Sequence, residues 1–128
     1  MVLGCGVDLV EVQQLKRAVT RWGEKFLSRV YTTRELAVGR GRSRQFEFLA
    51  ARFAAKEAII KAFGQWRENT GLPFHAIEIL SDHSGRPIVR LSGVALQLKR
   101  RCRATDVLVS LSHTPAYAVA TALVVKHR

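Results

Sequence analysis

The spacing of hydrophobic and polar residues predicts a mixture of helices and strands along the chain. Short apolar runs bounded by turn residues predict strands, whereas longer apolar or amphipathic stretches predict helices. The predicted strands cover residues 2–7, 77–80, 88–91, 107–112 and 117–125, and the predicted helices cover residues 9–20, a short segment from 33, 44–63 and 93–103. This order predicts one α+β domain over residues 1–128, with helices packed on a small antiparallel sheet.

The predicted helix at 44–63 is the most informative element. On a wheel of 100° per residue, apolar residues occupy one arc and also much of the opposite side. The first arc holds Phe46, Leu49, Ala50, Phe53 and Ile60, and the opposite side holds Phe48, Ala51, Ala55, Ala58, Ile59 and Ala62. Because a helix that is apolar nearly all round is a buried helix, this segment is expected to be the long central helix of the domain.

Glu57 lies in the middle of the first apolar arc, and Lys61 lies one turn further along, at the edge of that arc. A buried carboxylate is very costly unless it finds a cation or a proton. One interpretation is an i,i+4 salt bridge with Lys61, worth only a few tenths of a kcal/mol, and the spacing alone favours it. The other makes Glu57 a metal ligand or general base, with Lys61 holding a phosphate above it. Arg52 and Lys56 form a second i,i+4 pair on another flank.

Asp8 stands between the first predicted strand and the first predicted helix, and it also has two interpretations. With Glu11 it has the spacing of a helix capping box, in which Asp replaces Ser or Thr. It would also lie at the end of a strand, where ligands of α/β sheets gather. If Asp8 and Glu57 converged, they would suit Mg²⁺, which takes one or two protein carboxylates together with substrate phosphates.

Charge points to an anionic partner. Lys and Arg number 21 against 10 Asp and Glu, which gives a formal net charge of +11. Such an excess suits nucleic acid, an acidic membrane, a phosphorylated ligand or an acidic protein. The basic cluster at 98–103 is the best argument for a nucleic-acid-binding module. The chain has no RRM-type aromatic signature and no KH-type GXXG loop, so that alternative rests on charge alone.

Nothing in the sequence predicts a membrane segment or a disulfide framework. The N-terminal apolar run lacks a basic leader and is interrupted by Asp8. The longest apolar stretch near the C-terminus, residues 117–125, is far below the roughly 20 residues of a membrane helix. Cys5 and Cys102 have no metal-ligand spacing. They are predicted to be reduced, buried thiols of a cytosolic protein.

Three strings carry a resemblance to a known family. They are GVDLVEV at 6–12, RFAAKEAIIKAFG at 52–64 and VSLSHT at 109–114. In order and spacing they resemble the holo-acyl-carrier-protein synthase family of 4′-phosphopantetheinyl transferases. The resemblance implies a trimeric α+β protein that binds coenzyme A between neighbouring subunits. It also implies Mg²⁺-dependent transfer of 4′-phosphopantetheine to a serine of apo acyl carrier protein, in the fatty-acid biosynthesis of the cytoplasm.

The resemblance also implies roles for individual residues. Asp8 and Glu57 match the Mg²⁺-binding carboxylates, and Lys61 matches the lysine that contacts the reacting phosphates. Glu57, directly or through a water, would then be the general base for the serine proton. The positions that match the family's coenzyme A-binding residues are Arg44, Arg52, Lys61, Gly85, Arg86, Pro87 and His113.

The first predicted helix departs from the family pattern. Where the family often has an arginine, this chain has Gln14. Arg17 and Arg21 lie close by and, being four residues apart, share one face of the helix. They are expected to dock the acidic helix of the carrier protein, although a merely solvated basic face has the same pattern.

Overall fold

The computed structural model of the chain describes residues 1–64 and 72–127 and contains five helices and five strands in an α+β arrangement. The strands are β1 (Val2–Glu11), β2 (Ile77–Ser81), β3 (Pro87–Leu91), β4 (Asp106–His113) and β5 (Tyr117–Val125). The helices are α1 (Val12–Trp22), α2 (Glu24–Val30), α3 (Thr33–Arg40), α4 (Gln45–Phe63) and α5 (Gly93–Arg101), and a short 3₁₀ turn spans Phe74–Ala76. The predicted fold class is confirmed.

Two antiparallel sheets organise the domain. A three-stranded sheet has the order β1-β5-β4, and β2 and β3 form a separate hairpin. Helix α4 crosses the three-stranded sheet and is buried on nearly every side, as its pattern predicted. Alanines at 118, 120 and 122 of β5 face the core, and the small alanines of α4 allow helix and sheet to approach closely.

The first strand is longer than the sequence predicts. It continues to Glu11, so α1 begins at Val12 and not at Leu9, and a further helix, α2, was missed. Asp8 pairs with Ala120 inside the strand. The N-cap of α1 is Glu11, which makes no side-chain capping bond. The capping-box interpretation of Asp8 is therefore wrong, because pairing with β5 keeps this segment extended.

Close approach of β1 to α4 explains two glycines. A Cβ at Gly6 would lie 2.0 Å from the carbonyl oxygen of Ala58, and one at Gly4 would lie 1.8 Å from that of Ala62. Both obstacles are backbone atoms of a buried helix, so they cannot swing aside as a flexible side chain would. The glycines let the strand lie directly on the helix, and Asp8, two residues after Gly6, is on the same face of the strand.

We expect Gly6→Ala to lower the free energy of unfolding by about 1–3 kcal/mol or more, because the strand must move away from α4. Denaturant unfolding measures this loss. The control is Gly41→Ala, where φ is −83° and the nearest atom to an added Cβ is the Val38 carbonyl oxygen at 3.9 Å. Equal midpoints for the two variants would contradict the close packing of β1 on α4.

A buried ion pair connects α4 to the rest of the fold, and no pattern in the sequence predicted it. The Lys56 Nζ donates to Glu35 Oε1 of α3 at 2.6 Å and to the carbonyl of Val30 at 2.6 Å. Both side chains are fully buried. Glu35 also accepts a hydrogen bond from the backbone N–H of Ile79 in β2. One carboxylate and one ammonium thus join four elements, α2, α3, α4 and β2, beneath the surface.

The two cysteines, which were both predicted to be buried, lie in different environments. Cys102 is buried as predicted, but Cys5 is exposed, because its position on β1 puts it on the sheet face away from α4. His75, His83 and His127 lie on the surface. Among the described residues, no helix combines the length and apolar character that crossing a membrane requires.

Candidate active site

One candidate cluster forms where β1 meets α4. The Lys61 Nζ donates to Asp8 Oδ1 at 3.0 Å and to the Val7 carbonyl oxygen at 3.1 Å. The Asp8 side chain is 17% exposed, whereas the Lys61 side chain is half exposed. Fold geometry thus pairs a largely buried carboxylate with an accessible ammonium group across a separation of 53 residues.

Glu57 belongs to the same flank of α4. It precedes Lys61 by four residues, so the two side chains are neighbours on the helix surface, and Glu57 is half-buried. Lys61 reaches across to β1 and therefore does more than support its own helix. We call Asp8, Glu57 and Lys61 the carboxylate–lysine cluster.

The donor set of this cluster suits a hard divalent cation that is shared with a phosphorylated ligand. Mg²⁺ prefers carboxylate oxygens, water and phosphate oxygens, and it usually takes only one or two protein carboxylates. Within residues 1–64 and 72–127, no group of three or more His, Cys, Asp or Glu residues could hold a metal ion. A cation bound by Asp8 and Glu57 would therefore complete its coordination with ligand oxygens and water.

A second candidate region is a basic cavity beside the other flank of α4. Its volume is about 380 Å³. The residues lining it are Gly41, Arg42, Ser43, Arg44, Phe48, Arg52 and His113. They come from the loop after α3, the first turns of α4 and the end of β4. Three arginines and a histidine around one opening point to an anionic ligand.

Arg52 forms the floor of this basic cavity and is only 7% exposed. Its guanidinium carbon lies 4.1 Å from the centre of the Phe48 ring, and that of Arg42 lies 4.6 Å from the same ring. Burial first, and then the charge of Arg42, lower the pKa of Arg52. Its Nε is buried without a hydrogen-bond partner among the described residues. An anion in the cavity would offset the cost of burying this charge beside another cation.

Two residues that line the basic cavity, His113 and Arg44, both contact the carboxylate of Glu47. Glu47 Oε1 lies 3.0 Å from His113 Nδ1, and Glu47 Oε2 lies 3.8 Å from Arg44 Nε. The structure therefore brings together three residues that the sequence proposed for coenzyme A binding, namely Arg44, Arg52 and His113. Arg42, Phe48 and Glu47 were not singled out for this region. Only the density of arginines in the segment 39–44 hinted at Arg42.

The turn at Gly85–Pro87 adjoins the same region. Pro87 pairs with Ser81 across the β2–β3 hairpin, and Ser81 Oγ accepts a hydrogen bond from Arg52 Nη2 at 3.3 Å. Gly85 has φ +84°, a value that L side chains rarely adopt. Asp82 Oδ1 accepts hydrogen bonds from the backbone N–H groups of Ser84 and Arg86, and these bonds hold the turn in shape.

The carboxylate–lysine cluster and the basic cavity lie on opposite flanks of α4 in one chain. Arg52 and Lys61 are nine residues apart, which corresponds to about 180° around a helix. Arg52 contacts Ser81 of β2, whereas Lys61 contacts Asp8 of β1. The body of α4 therefore separates the two groups of predicted site residues.

The predicted docking residues lie on the exposed face of α1. Arg17 and Arg21 line a shallow groove together with Gln13, Lys16 and Thr20. Arg17 pairs loosely with Glu11 at 3.6 Å, and the guanidinium carbon of Arg21 lies 4.9 Å from the Trp22 ring centre. The groove is open and basic, as a surface for an acidic partner would be.

Comparison with known proteins defines the class. Residues 4–122 match the sequence model of the 4′-phosphopantetheinyl transferase superfamily, so the chain is an enzyme of this class. The holo-[acyl-carrier-protein] synthase of Solibacter usitatus is 39% identical over 121 residues, which cover 94% of this chain and 95% of that protein. The chain therefore belongs to the holo-acyl-carrier-protein synthase family, as the three strings implied.

Solved structures agree with this assignment. The complex of the Chronobacterium ammoniagenes synthase with CoA is 35% identical, has a TM-score of 0.80 and covers 98% of both chains. A Bacillus anthracis holo-(acyl-carrier-protein) synthase, in complex with CoA (3′,5′-ADP), is 32% identical, has a TM-score of 0.78 and covers 99% of both chains.

Proposed function

We propose that the protein transfers 4′-phosphopantetheine from coenzyme A to a serine of an apo acyl carrier protein, in a Mg²⁺-dependent reaction that serves fatty-acid biosynthesis in the cytoplasm. The observation that carries this proposal is the pairing of Asp8 with Lys61 beside Glu57, in a family whose relatives bind coenzyme A. Arg52 is buried, and its Nε has no hydrogen-bond partner among the described residues. It would therefore be available to bind a phosphate of the nucleotide.

Bond changes in the proposed reaction are simple. The serine oxygen attacks the β-phosphorus of coenzyme A, and the bond from that phosphorus to the bridging oxygen breaks. Adenosine 3′,5′-bisphosphate leaves with the bond electrons, and the serine proton passes to Glu57, directly or through a water. Transfers of this kind depend mainly on positioning and charge neutralisation.

The residues of the carboxylate–lysine cluster would share these tasks. Asp8 and Glu57 would hold Mg²⁺, which when bound neutralises charge on the pyrophosphate oxygens. Lys61 would stabilise the charge that builds up on the leaving phosphate. Its contact with Asp8 fixes the ammonium group where strand and helix meet, so little reorganisation is needed when a phosphate arrives.

We also propose a trimer with shared active sites, and the separation of the two regions supports sharing of a site between copies. A helix with its side chains is about 10–12 Å thick, so one coenzyme A molecule is best placed to touch both regions when they come from neighbouring copies. The sheet face away from α4 also exposes apolar side chains, namely Val7, Leu9, Leu108, Tyr117 and Val119. A repeated interface between copies would cover them.

Mass spectrometry tests the proposed function. Apo carrier protein incubated with this protein, coenzyme A and Mg²⁺ should gain the mass of one phosphopantetheine group. Omission of coenzyme A and addition of a chelator are the controls. Absence of the added mass with several acidic carrier proteins would contradict the proposal. A protein that bound nucleic acid through charge alone would need no divalent metal and would lose affinity as salt rises.

Carrier docking gives a second test of the proposal. Reversing both charges, Arg17→Glu with Arg21→Glu, should raise the KM for the carrier protein about tenfold or more at low salt, because rim charges speed encounter with an acidic partner. The KM for coenzyme A should stay unchanged. Steady-state kinetics at several salt concentrations measure both, and the effect should shrink towards roughly 0.5 M salt, where charges are screened.

The matched control for docking reverses two exposed basic residues of α5, Arg100→Glu with Arg101→Glu. The net charge change is the same, but the residues lie on another element. If the α5 variant raised the carrier KM as much as the α1 variant, general charge and not the groove on α1 would govern docking.

A further inference from the structure

Glu47 is an unexpected residue in a region that is built to receive an anion. It lies in the first turn of α4, and its side chain is 12% exposed. It does not line the basic cavity, yet it contacts two residues that do. A nearly buried carboxylate directly behind several cations must either orient those cations or compete with the ligand for them.

The two carboxylate oxygens of Glu47 serve different partners. Oε1 lies 3.0 Å from Nδ1 of His113, which is 66 residues further along the chain, at the end of β4. Oε2 contacts Arg44 Nε at 3.8 Å, immediately before α4. The partners are the more exposed groups, at 40% for His113 and 73% for Arg44. The carboxylate of Glu47 therefore lies beneath His113 and Arg44, and these two basic groups face the opening of the cavity.

The chemistry of this contact fixes the histidine. An ionised carboxylate only accepts hydrogen bonds, so Nδ1 of His113 carries the proton that the contact shares. Nε2 is then the ring nitrogen left for a ligand, whether the ring is neutral or charged. The same arrangement orients histidine side chains that bind metal ions, where a carboxylate behind the ring sets its direction.

We propose that Glu47 is a positioning residue of the basic cavity: it holds His113 with Nε2 towards the ligand and holds Arg44 at the rim, without touching the ligand itself. Arg42 and Arg52 do not depend on it, because Phe48 packs against both guanidinium groups. The identity of the ligand as the phosphorylated end of coenzyme A rests on the proposed function, whereas the Glu47–His113 contact does not.

The test uses Glu47→Gln and adenosine 3′,5′-bisphosphate as the probe, with binding measured by calorimetry. We expect binding to weaken about tenfold, since the amide oxygen of glutamine can still accept from Nδ1 but the negative charge that holds both His113 and Arg44 is gone. The KM for coenzyme A should rise by a similar factor, with kcat within about twofold of wild type. The control is Glu24→Gln, which makes the same charge change in the first turn of α2 and should leave binding unchanged.

Two further readouts separate positioning from a general structural role. In a His113→Ala background, Glu47→Gln should weaken binding by about threefold at most, because only the Arg44 contact remains. In ¹⁵N spectra of the ring nitrogens, Glu47→Gln should shift the His113 Nδ1 signal, assigned by its loss in His113→Ala. Should Glu47→Gln not fold, Glu47→Asp keeps the charge, withdraws the carboxylate by one methylene and is measured in the same way.

Several outcomes would overturn the proposal. If Glu47→Gln binds the nucleotide as tightly as wild type or more tightly, the carboxylate competes with the anion and does not position its partners. If its effect is undiminished in the His113→Ala background, it does not act through His113. Failure of the wild-type protein to bind the nucleotide would count against the proposed function, while the ¹⁵N comparison would still decide the Glu47–His113 contact.

Discussion

Asp8→Asn and Glu57→Gln should each lower the transfer rate by about 10²–10³-fold or more, even at saturating Mg²⁺. Each change removes one of the two charges that would hold the cation and keeps nearly the same side-chain volume. Asp8→Asn also takes from Lys61 the anionic partner that it contacts at 3.0 Å. Losing one preorganised group that stabilises developing charge commonly costs this much in rate. The measurement is the initial rate of carrier modification, followed by mass spectrometry.

The matched control is Asp106→Asn. Asp106 also stands on a strand, but it is exposed and contacts His127 at the far end of β4. Its replacement should leave the rate within about twofold, because surface substitutions away from special features have small effects. If Asp8→Asn or Glu57→Gln kept a near wild-type rate while remaining folded, that residue would not be a metal ligand.

Mixing experiments extend this prediction to assembly. Glu57→Gln damages the carboxylate–lysine cluster, and Arg52→Met damages the basic cavity on the opposite flank of α4. If neighbouring copies share one active site, a mixture of the two inactive variants should regain part of the activity, because some sites then combine two intact regions. A protein that is fully active as a monomer by light scattering would contradict shared sites.

The local pattern of apolar and turn residues was sufficient to predict those helices and strands whose secondary structure depends mainly on their own residues. Helix α4 is apolar on nearly all sides, and the hairpin of β2 and β3 surrounds a turn rich in Gly, Ser and Asp, so both were predicted within one or two residues. The end of β1 was not, because the segment after Asp8 is compatible with strand or helix. Pairing of Leu9 with Val119, more than a hundred residues away, decides its conformation.

The functional regions show the same division. The resemblance to the family proposed Asp8, Glu57 and Lys61 as site residues, but only the structure shows that Lys61 reaches across to the strand. Neither pattern nor motif indicated that Glu47 would lie behind His113. An acid in the first turn of a helix is explained equally well by the helix dipole. Contacts between distant elements depend on the packing of the whole domain, so a local sequence pattern does not predict them.

Lys56→Met should cost about 3–5 kcal/mol of stability, the usual result when one partner of a buried ion pair is removed. Burial lowers the pKa of Lys56, and the adjoining Glu35 carboxylate opposes that effect. Without the ammonium group, Glu35 would be a buried charge whose donors among the described residues are the backbone N–H groups of Thr32 and Ile79. The carbonyl oxygens of Val30 and Phe74 would lose their shared donor as well.

Denaturant unfolding of a short series tests this expectation. Lys25→Met, on the exposed face of α2, is the control and should stay within about 0.5 kcal/mol of wild type. Adding Glu35→Gln to Lys56→Met should recover part of the loss, because the glutamine oxygen still accepts from Ile79 while the buried charge is gone. If Lys56→Met were no more harmful than Lys25→Met, the ion pair would contribute nothing to the fold. If the double variant were less stable than Lys56→Met alone, the cost would lie in the lost packing of the lysine chain and not in the uncompensated carboxylate.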